Sequence, residues 1–285
     1  MRWNFSLMTA AVVSVTAVAT LSAYSASTVS DAAIVQQRAT LAKNTEGAGF
    51  GPQSPRDIDT LNGTNTRAFS EAPSYTQMNL CNIHFHEGAE HKGGEFNAYN
   101  GNGDGKGHGT GYRYSGKLSA AELAPIGEPI GDKGHGGLEP GDTIEVHYVH
   151  TTAQVTPGPT LGSCLSDAIG NPQLRVETQV YVLVNDDKAH DFVELTKHEL
   201  IDGVHQAVNI PTNTGAPVQY EGSTTGPSYN EKGSPFQVSW SVRPKVAKVN
   251  IKTVGTWFKD NVFKEDHAHG VRNLVINPDL LSQIQ

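Results

Sequence analysis

Three histidines, three glutamates and one of the chain's two cysteines crowd into the sixteen residues CNIHFHEGAEHKGGEF at positions 81–96. Neutral imidazole is the commonest metal ligand near neutral pH. A second stretch, TIEVHYVHT at 143–151, adds His147 and His150. Successive side chains of a strand point to opposite faces. If both stretches are strands, His84 and His86 share a face with Asn82 while Phe85 turns away into packing. Likewise Glu145, His147 and Val149 share a face, with His150 on the other. Two neighbouring strands of this kind bring His84, His86 and His147 toward one point. Three neutral imidazoles with an open fourth position are a catalytic zinc arrangement. The outer ring nitrogens of such ligands need acceptors, and Asn82 and Glu145 can supply them. An HxH pair alone is a weak signal, because surface and satisfied core histidines are common; the polar neighbour on each histidine face strengthens it.

The elements that would have to hold these residues are mostly strands. The chain has 285 residues with 30 glycines and 15 prolines, 37% hydrophobic and 18% charged, which suits a loop-rich protein that leans to β structure. MNLCNIHFH and TIEVHYVHT are predicted as strands, followed by VETQVYVLVND and DFVEL, with FQVSWSVRPKVAKVNIKTV supplying two more. SAAEL at 119–123 reads as a short helix with a Ser119/Glu122 capping box. Regular strands with few helical patterns predict one antiparallel β domain over 74–285. Residues 27–73 are polar and turn-rich and read as an extended N-terminal arm. Residues 1–26 read as a secretory signal peptide: one charge at Arg2, an apolar run from Leu7 to Leu21 and small residues near the cut. That run is shorter than the ~20 residues needed to span a bilayer, and no other segment is apolar enough. Export, to a periplasm or the medium, favours a disulfide between Cys81 and Cys164 over two metal-ligating thiols, since no C-x2-C spacing is present. The net charge of −8 and the lack of any basic run argue against nucleic acid and anionic membranes as partners.

HFH, a Glu-His pair shortly after it, and ExHxVH on a later strand together resemble the alpha-type carbonic anhydrases. The wording CNIHFHEGAEHKGGEF and its glycine-rich continuation are most similar to the delta class. The resemblance spans roughly residues 74–280, with anchors at four patches. It implies a mainly β single domain: a central twisted, mostly antiparallel sheet of the alpha-carbonic-anhydrase type, with few short helices. It implies His84, His86 and His147 as zinc ligands, Asn82 and Glu145 as their supports, and Glu90 and His91 as the family's Glu-His pair. YEGSTTGP (220–227) resembles the family's threonine turn and implies Thr225 as the gatekeeping hydroxyl, with Thr224 the alternative register. QVSWSV implies Trp240 as a pocket residue, and VRNLVINPDLL implies Asn273 as the C-terminal asparagine. Glu87 stands where the family has a tryptophan.

The implied reaction is reversible hydration of carbon dioxide to bicarbonate and a proton. A zinc ion held by three neutral ligands lowers the pKa of bound water to about 7, making hydroxide available for attack; cobalt(II) is a workable substitute. In this reading Thr225 donates to Glu90 and so orients the hydroxide, and Val149 helps form an apolar patch for the substrate. The proton must then leave. His108 and His135, in glycine-rich loops, are relay candidates but read first as solvated side chains. His150, His190, His198, His205, His267 and His269 read as structural or exposed. NGNGDGKGHG (100–109) offers only one acid, Asp104, and no closing glutamate, so it reads as a loop rather than a calcium turn.

Two rivals from other classes stay in view. A cupin would use three histidines with Glu90 as a fourth ligand to iron or manganese, for oxygenase or isomerase chemistry, but leaves YEGSTTGP without a role. A non-catalytic exported zinc-binding protein of the same fold is the other. Metal identity and turnover separate the three.

Overall fold

A computed structural model describes residues 28–224 and 230–285. The leader expected at 1–26 lies outside them, and so does Thr225. In chain order the elements are α1 (Asp31–Thr45), β1 (Asn79–Glu87), β2 (Ala98–Tyr99), β3 (Tyr112–Arg113), β4 (Thr143–Thr151), β5 (Leu174–Val184), α2 (Phe192–Leu195), β6 (His198–Ile201), β7 (Val204–Ala207), β8 (Val218–Ser223), β9 (Gln237–Asn250) and α3 (Ile251–Trp257). Five strands form one sheet in the order β1-β4-β5-β9-β8. All neighbours pair antiparallel except β5 and β9, which are parallel.

Both faces of the sheet are covered, and they differ in chemistry. Ile83, Phe85, Val146 and Tyr148 point to one face and pack against Phe192, Val254 and Trp257 of α2 and α3. The other face carries Val149, Val176, Val180, Trp240 and Val242 beside the histidines. Burial on both sides explains why β4 and β5 are buried along their whole length. A β-bulge in β1 between Leu80 and Asn82 breaks strict alternation. It lets Cys81 pack among the second cluster while Asn82 still faces the histidine side. Cys81 is bonded to Cys164, 83 residues away, which ties β1 to the loop after β4.

Three local expectations need correction. DFVEL is not a strand: the Asp191 carboxylate accepts from the Val193 amide and starts the short helix α2. FQVSWSVRPKVAKVNIKTV is not two strands but one fourteen-residue strand through Pro244, after which Asn250 caps α3. The Ser119/Glu122 box forms, yet it closes only a turn. Apolar alternation in these segments is short enough to fit either period, and the capping side chain decides.

The N-terminal segment, expected as an extended arm, carries the fifteen-residue helix α1, capped by Ser30. It then sends Gln53, Ser54 and Arg56 into the interior with almost no exposure. There the Ser54 carbonyl accepts from the Arg272 guanidinium, and the Gln53 amide donates to the Leu280 carbonyl. Residues 53–56 are thus packed against the C-terminal segment. Among the described residues no helix is long and apolar enough to cross a membrane.

Candidate metal centre

Strand register places the histidines. His84 on β1 lies directly opposite His147 on β4, with His86 opposite Glu145 and Asn82 opposite Val149. One row further, Val149, Val176 and Trp240 follow one another across β4, β5 and β9. A polar row of imidazoles therefore runs beside an apolar wall on the same face.

His84, His86 and His147 each offer one ring nitrogen within 4.8 Å of the others. The opposite nitrogens are all engaged. His84 Nδ1 is 2.6 Å from Asn82 Oδ1, His86 Nδ1 2.8 Å from the Gly270 carbonyl, and His147 Nε2 2.7 Å from Glu145 Oε1. Each partner is an acceptor, so each imidazole carries its N–H on the outer nitrogen. Nε2 of His84 and His86 and Nδ1 of His147 then present lone pairs inward. His84 Nε2 and His147 Nδ1 stand 3.3 Å apart, and two lone pairs at that distance repel unless a cation lies between them. Burial and the neighbouring imidazoles hold His84 well below the usual histidine range. Burial also lowers His86, against the pull of Glu90. Inward-facing and outwardly braced, the set fits a zinc ion with a position left for water.

A second layer explains the other histidine–carboxylate group, His91, Glu145 and His147. Glu145 Oε1 accepts from both His147 Nε2 and His91 Nδ1, and Oε2 accepts from the His91 amide at 3.0 Å. Burial alone would raise the Glu145 carboxyl, but His91 and His147 hold it well below the usual range. His91 Nε2 is 2.6 Å from the Tyr220 hydroxyl, which donates to Ser54 Oγ. These partners use the group's donors and acceptors internally, so it is a brace for His147.

Glu90 is buried, 3.7 Å from His86 Nδ1 and 4.0 Å from His147 Nε2, both outward nitrogens. It stands behind the ligands rather than among the inward nitrogens, and Oε1 accepts from the Arg272 amide at 2.9 Å. Thr224 lines the same cavity, but its hydroxyl is paired with Ser234 Oγ at 3.1 Å. Thr225 lies outside the described residues. Asn273 does not reach His86; it bonds Gln37 and Asn230, and the carbonyl on His86 comes from Gly270. Val149 and Trp240 line the cavity, which holds roughly 430 Å³.

Several residues of this cavity were not singled out by sequence. Val176 and Leu161 add to the apolar wall. His269 and His267, read as structural or exposed, both line it, with the His269 ring 5.4 Å from that of His84. The segment bearing them runs along the free edge of β1: the His269 amide donates to the Phe85 carbonyl, and the Glu87 amide to the His269 carbonyl. Nothing in EDHAHGVRN carries strand-like alternation, so its position was not readable.

A family model described as delta carbonic anhydrase matches residues 75–253. No curated protein matches the chain. Similar solved structures include an alpha-carbonic anhydrase from Thermovibrio ammonificans in complex with the inhibitor sulfanilamide, at 15% identity and TM-score 0.26, covering 78% of this chain and 84% of that one. A hyperthermostable carbonic anhydrase from an active hydrothermal vent chimney matches at 16% identity and TM-score 0.29, covering 82% and 86%. Photobacterium profundum alpha-carbonic anhydrase matches at 16% and 0.27, covering 81% and 89%. The family-model match, not these distant likenesses, carries the assignment.

Proposed function

The chain belongs to the delta carbonic anhydrase family, and from that premise we propose that it catalyses reversible hydration of carbon dioxide at a zinc ion held by His84, His86 and His147. The observation that carries this is the orientation of the three rings, each fixed outward by an acceptor so that its free lone pair faces the other two. Zinc in such a site supplies Lewis acidity that brings the pKa of water to about 7.

The protein's own residues do the rest. Val149, Val176 and Trp240 form the apolar wall against which a nonpolar substrate can rest, one strand row from the histidines. The Arg272 amide donates to Glu90 Oε1 and holds that side chain in place. We assign Thr225 as its hydroxyl donor, which would leave the threonine oxygen able only to accept a hydrogen bond from the attacking oxygen and so set that oxygen's orientation. Asn82, Glu145 and, through Glu145, His91 hold the ligands in place. The disulfide suits the oxidising compartment expected for an exported protein. Glu90 standing behind the outward nitrogens disfavours the cupin reading, which needs it as a ligand.

Metal analysis paired with a carbon dioxide hydration assay tests the reading. One zinc per chain with hydration activity is expected, and His84→Ala, His86→Ala or His147→Ala should lose most of both. Stoichiometric iron without hydration activity would sink it, and zinc without activity would leave only a binding protein.

A further inference from the structure

The hairpin of β6 and β7 stands apart from the five-stranded sheet. Its inner edge is β7, where the His205 amide donates to Asn79 Oδ1 of β1 at 3.0 Å. An antiparallel ladder alternates residue pairs that exchange backbone bonds with pairs that do not. The Val208 amide donates to the Lys197 carbonyl, so Lys197, Glu199 and Ile201 direct their backbone groups at β7. His198 and Leu200 then direct theirs outward, as does His205, which stands opposite Leu200 and reaches Asn79. Among the described residues, the outward amides and carbonyls of His198 and Leu200 meet no partner.

Natural sheet edges are blunted by bulges, proline, covering loops or unpaired charges. Strand β6 has neither bulge nor proline, and its flanking charges, Lys197 and Glu199, pair with each other at 2.9 Å. At its centre Leu200 is 64% exposed, the most of any large apolar side chain among the described residues. Leu200 lines an open groove with Val155, Leu165 and His205, and none of these reaches the histidine cavity. We propose that β6 is a self-association edge, on which a second copy of this chain lays its own β6 antiparallel to form one continuous four-stranded sheet. Two-fold symmetry fixes the register. An axis normal to the sheet opposes only residues of the same face, which leaves two central registers. One sets Glu199 against Glu199 of the second copy, opposing like charges and calling on backbone groups already bonded to β7. The other sets Leu200 against Leu200 of the second copy, each amide donating to the other's carbonyl. It also places His198 opposite Asp202 of the second copy, an imidazole beside an exposed carboxylate, at both ends. This register uses the outward groups and covers the exposed leucine twice. The contact is short, so a reversible dimer rather than an obligate one is expected.

Sedimentation equilibrium of the purified protein over a series of concentrations tests the pairing. The mass should rise from one chain to two and no further. Leu200→Lys puts two like charges on the two-fold axis and should weaken dimerisation about tenfold or more. Leu200→Pro removes the central outward amide without touching a bond to β7 and should act the same way. The side chain is exposed, so circular dichroism of the Leu200→Lys variant should match that of the unsubstituted chain. Mild oxidation reads the register, because the Cα atoms of a hydrogen-bonded pair lie about 5.5 Å apart, within disulfide reach. Leu200→Cys should give a covalent dimer. Glu199→Cys, which faces Ile201, should not, and neither should Leu61→Cys, a comparably exposed position elsewhere (60%). A single-chain mass at every concentration would overturn the proposal and leave the edge to a strand of another protein. A dimer indifferent to both Leu200→Lys and Leu200→Pro, or one crosslinked through Glu199→Cys instead of Leu200→Cys, would overturn it too. None of these measurements involves the histidine cavity, so their failure leaves the proposed function untouched.

Discussion

At the scale of single residues, the proposed function separates an enzyme from a zinc holder by the pair Glu90 and Thr225. Glu90 does not stand among the three inward nitrogens, and in the proposed function Thr225 is the hydroxyl that donates to it. Glu90 is fixed by the Arg272 amide and lies behind His86 and His147. In the proposed function a carboxylate there only accepts, so a hydroxyl that donates to it is left to accept a hydrogen bond on its other side. Thr225→Ala should keep its zinc and lose about 10²-fold in turnover, the scale of one preorganised hydrogen-bonding partner. Glu90→Gln should also keep zinc but lose orientation, because an amide can donate to the threonine and reverse the chain. Zinc content and hydration rate of the two variants check this. Loss of metal in Glu90→Gln with normal turnover in Thr225→Ala would make Glu90 a ligand; a defect in Thr224→Ala instead would move only the register. The convergence of His84, His86 and His147 was legible because HxH and ExHxV each need only a period of two. The Gly270 carbonyl on His86 was not, because a backbone acceptor leaves no residue type to recognise.

At the scale of elements, the site is braced from outside the sheet. The Cys81–Cys164 bond anchors the bulge of β1 next to Asn82, whose amide also donates to the Gly158 carbonyl. Removing both cysteines as serines should cost on the order of 4 kcal/mol in the chain-entropy account, read from denaturant unfolding. An unchanged midpoint would show that packing alone holds the bulge. Helix α1 is a second brace. Its Gln37 donates to the Gly105 carbonyl of the glycine-rich loop 100–109 at 2.8 Å and accepts from the side chains of Asn230 and Asn273. One amide thus joins that loop to the segment that holds His86 and Glu90. Gln37→Ala should cost about 1–2 kcal/mol, one or two net hydrogen bonds of this kind, as a lowered unfolding midpoint. The helix itself escaped the sequence reading: DAAIVQQRATLAKNT buries only Ile34, Leu41 and Thr45, so its apolar face is too thin to show as periodicity.

For the whole molecule, the buried histidines make stability a function of pH. His150, on the face opposite the ligands, is fully enclosed, with Nδ1 on the Tyr148 carbonyl and Tyr75 packed 5.4 Å away. Burial pushes it down to about 3. Its unfolded value is the ordinary 6.5, so below that pH the unfolded chain binds a proton that the folded chain refuses. The stability held by keeping His150 neutral is therefore complete above about pH 6.5 and falls as pH drops toward 3. The slope approaches about 1.4 kcal/mol per pH unit for one such group. Glu145 works in the same direction lower down: its carboxyl is depressed in the fold, so its contribution is present above the unfolded carboxylate range near 4.5 and is lost as acid protonates it. Metal-free protein should therefore lose stability steadily from near pH 6.5 downward, measured by denaturant unfolding at a series of pH values. His150→Phe removes the first titration while keeping a ring beside Tyr75, and should make the curve shallower from about pH 6.5 down to about 3, leaving the carboxylate-driven fall below about 4.5. A curve for His150→Phe that superimposes on that of the unsubstituted chain would place the acid sensitivity elsewhere, with the ligand histidines His84 and His86, also lowered by burial, the next groups to substitute.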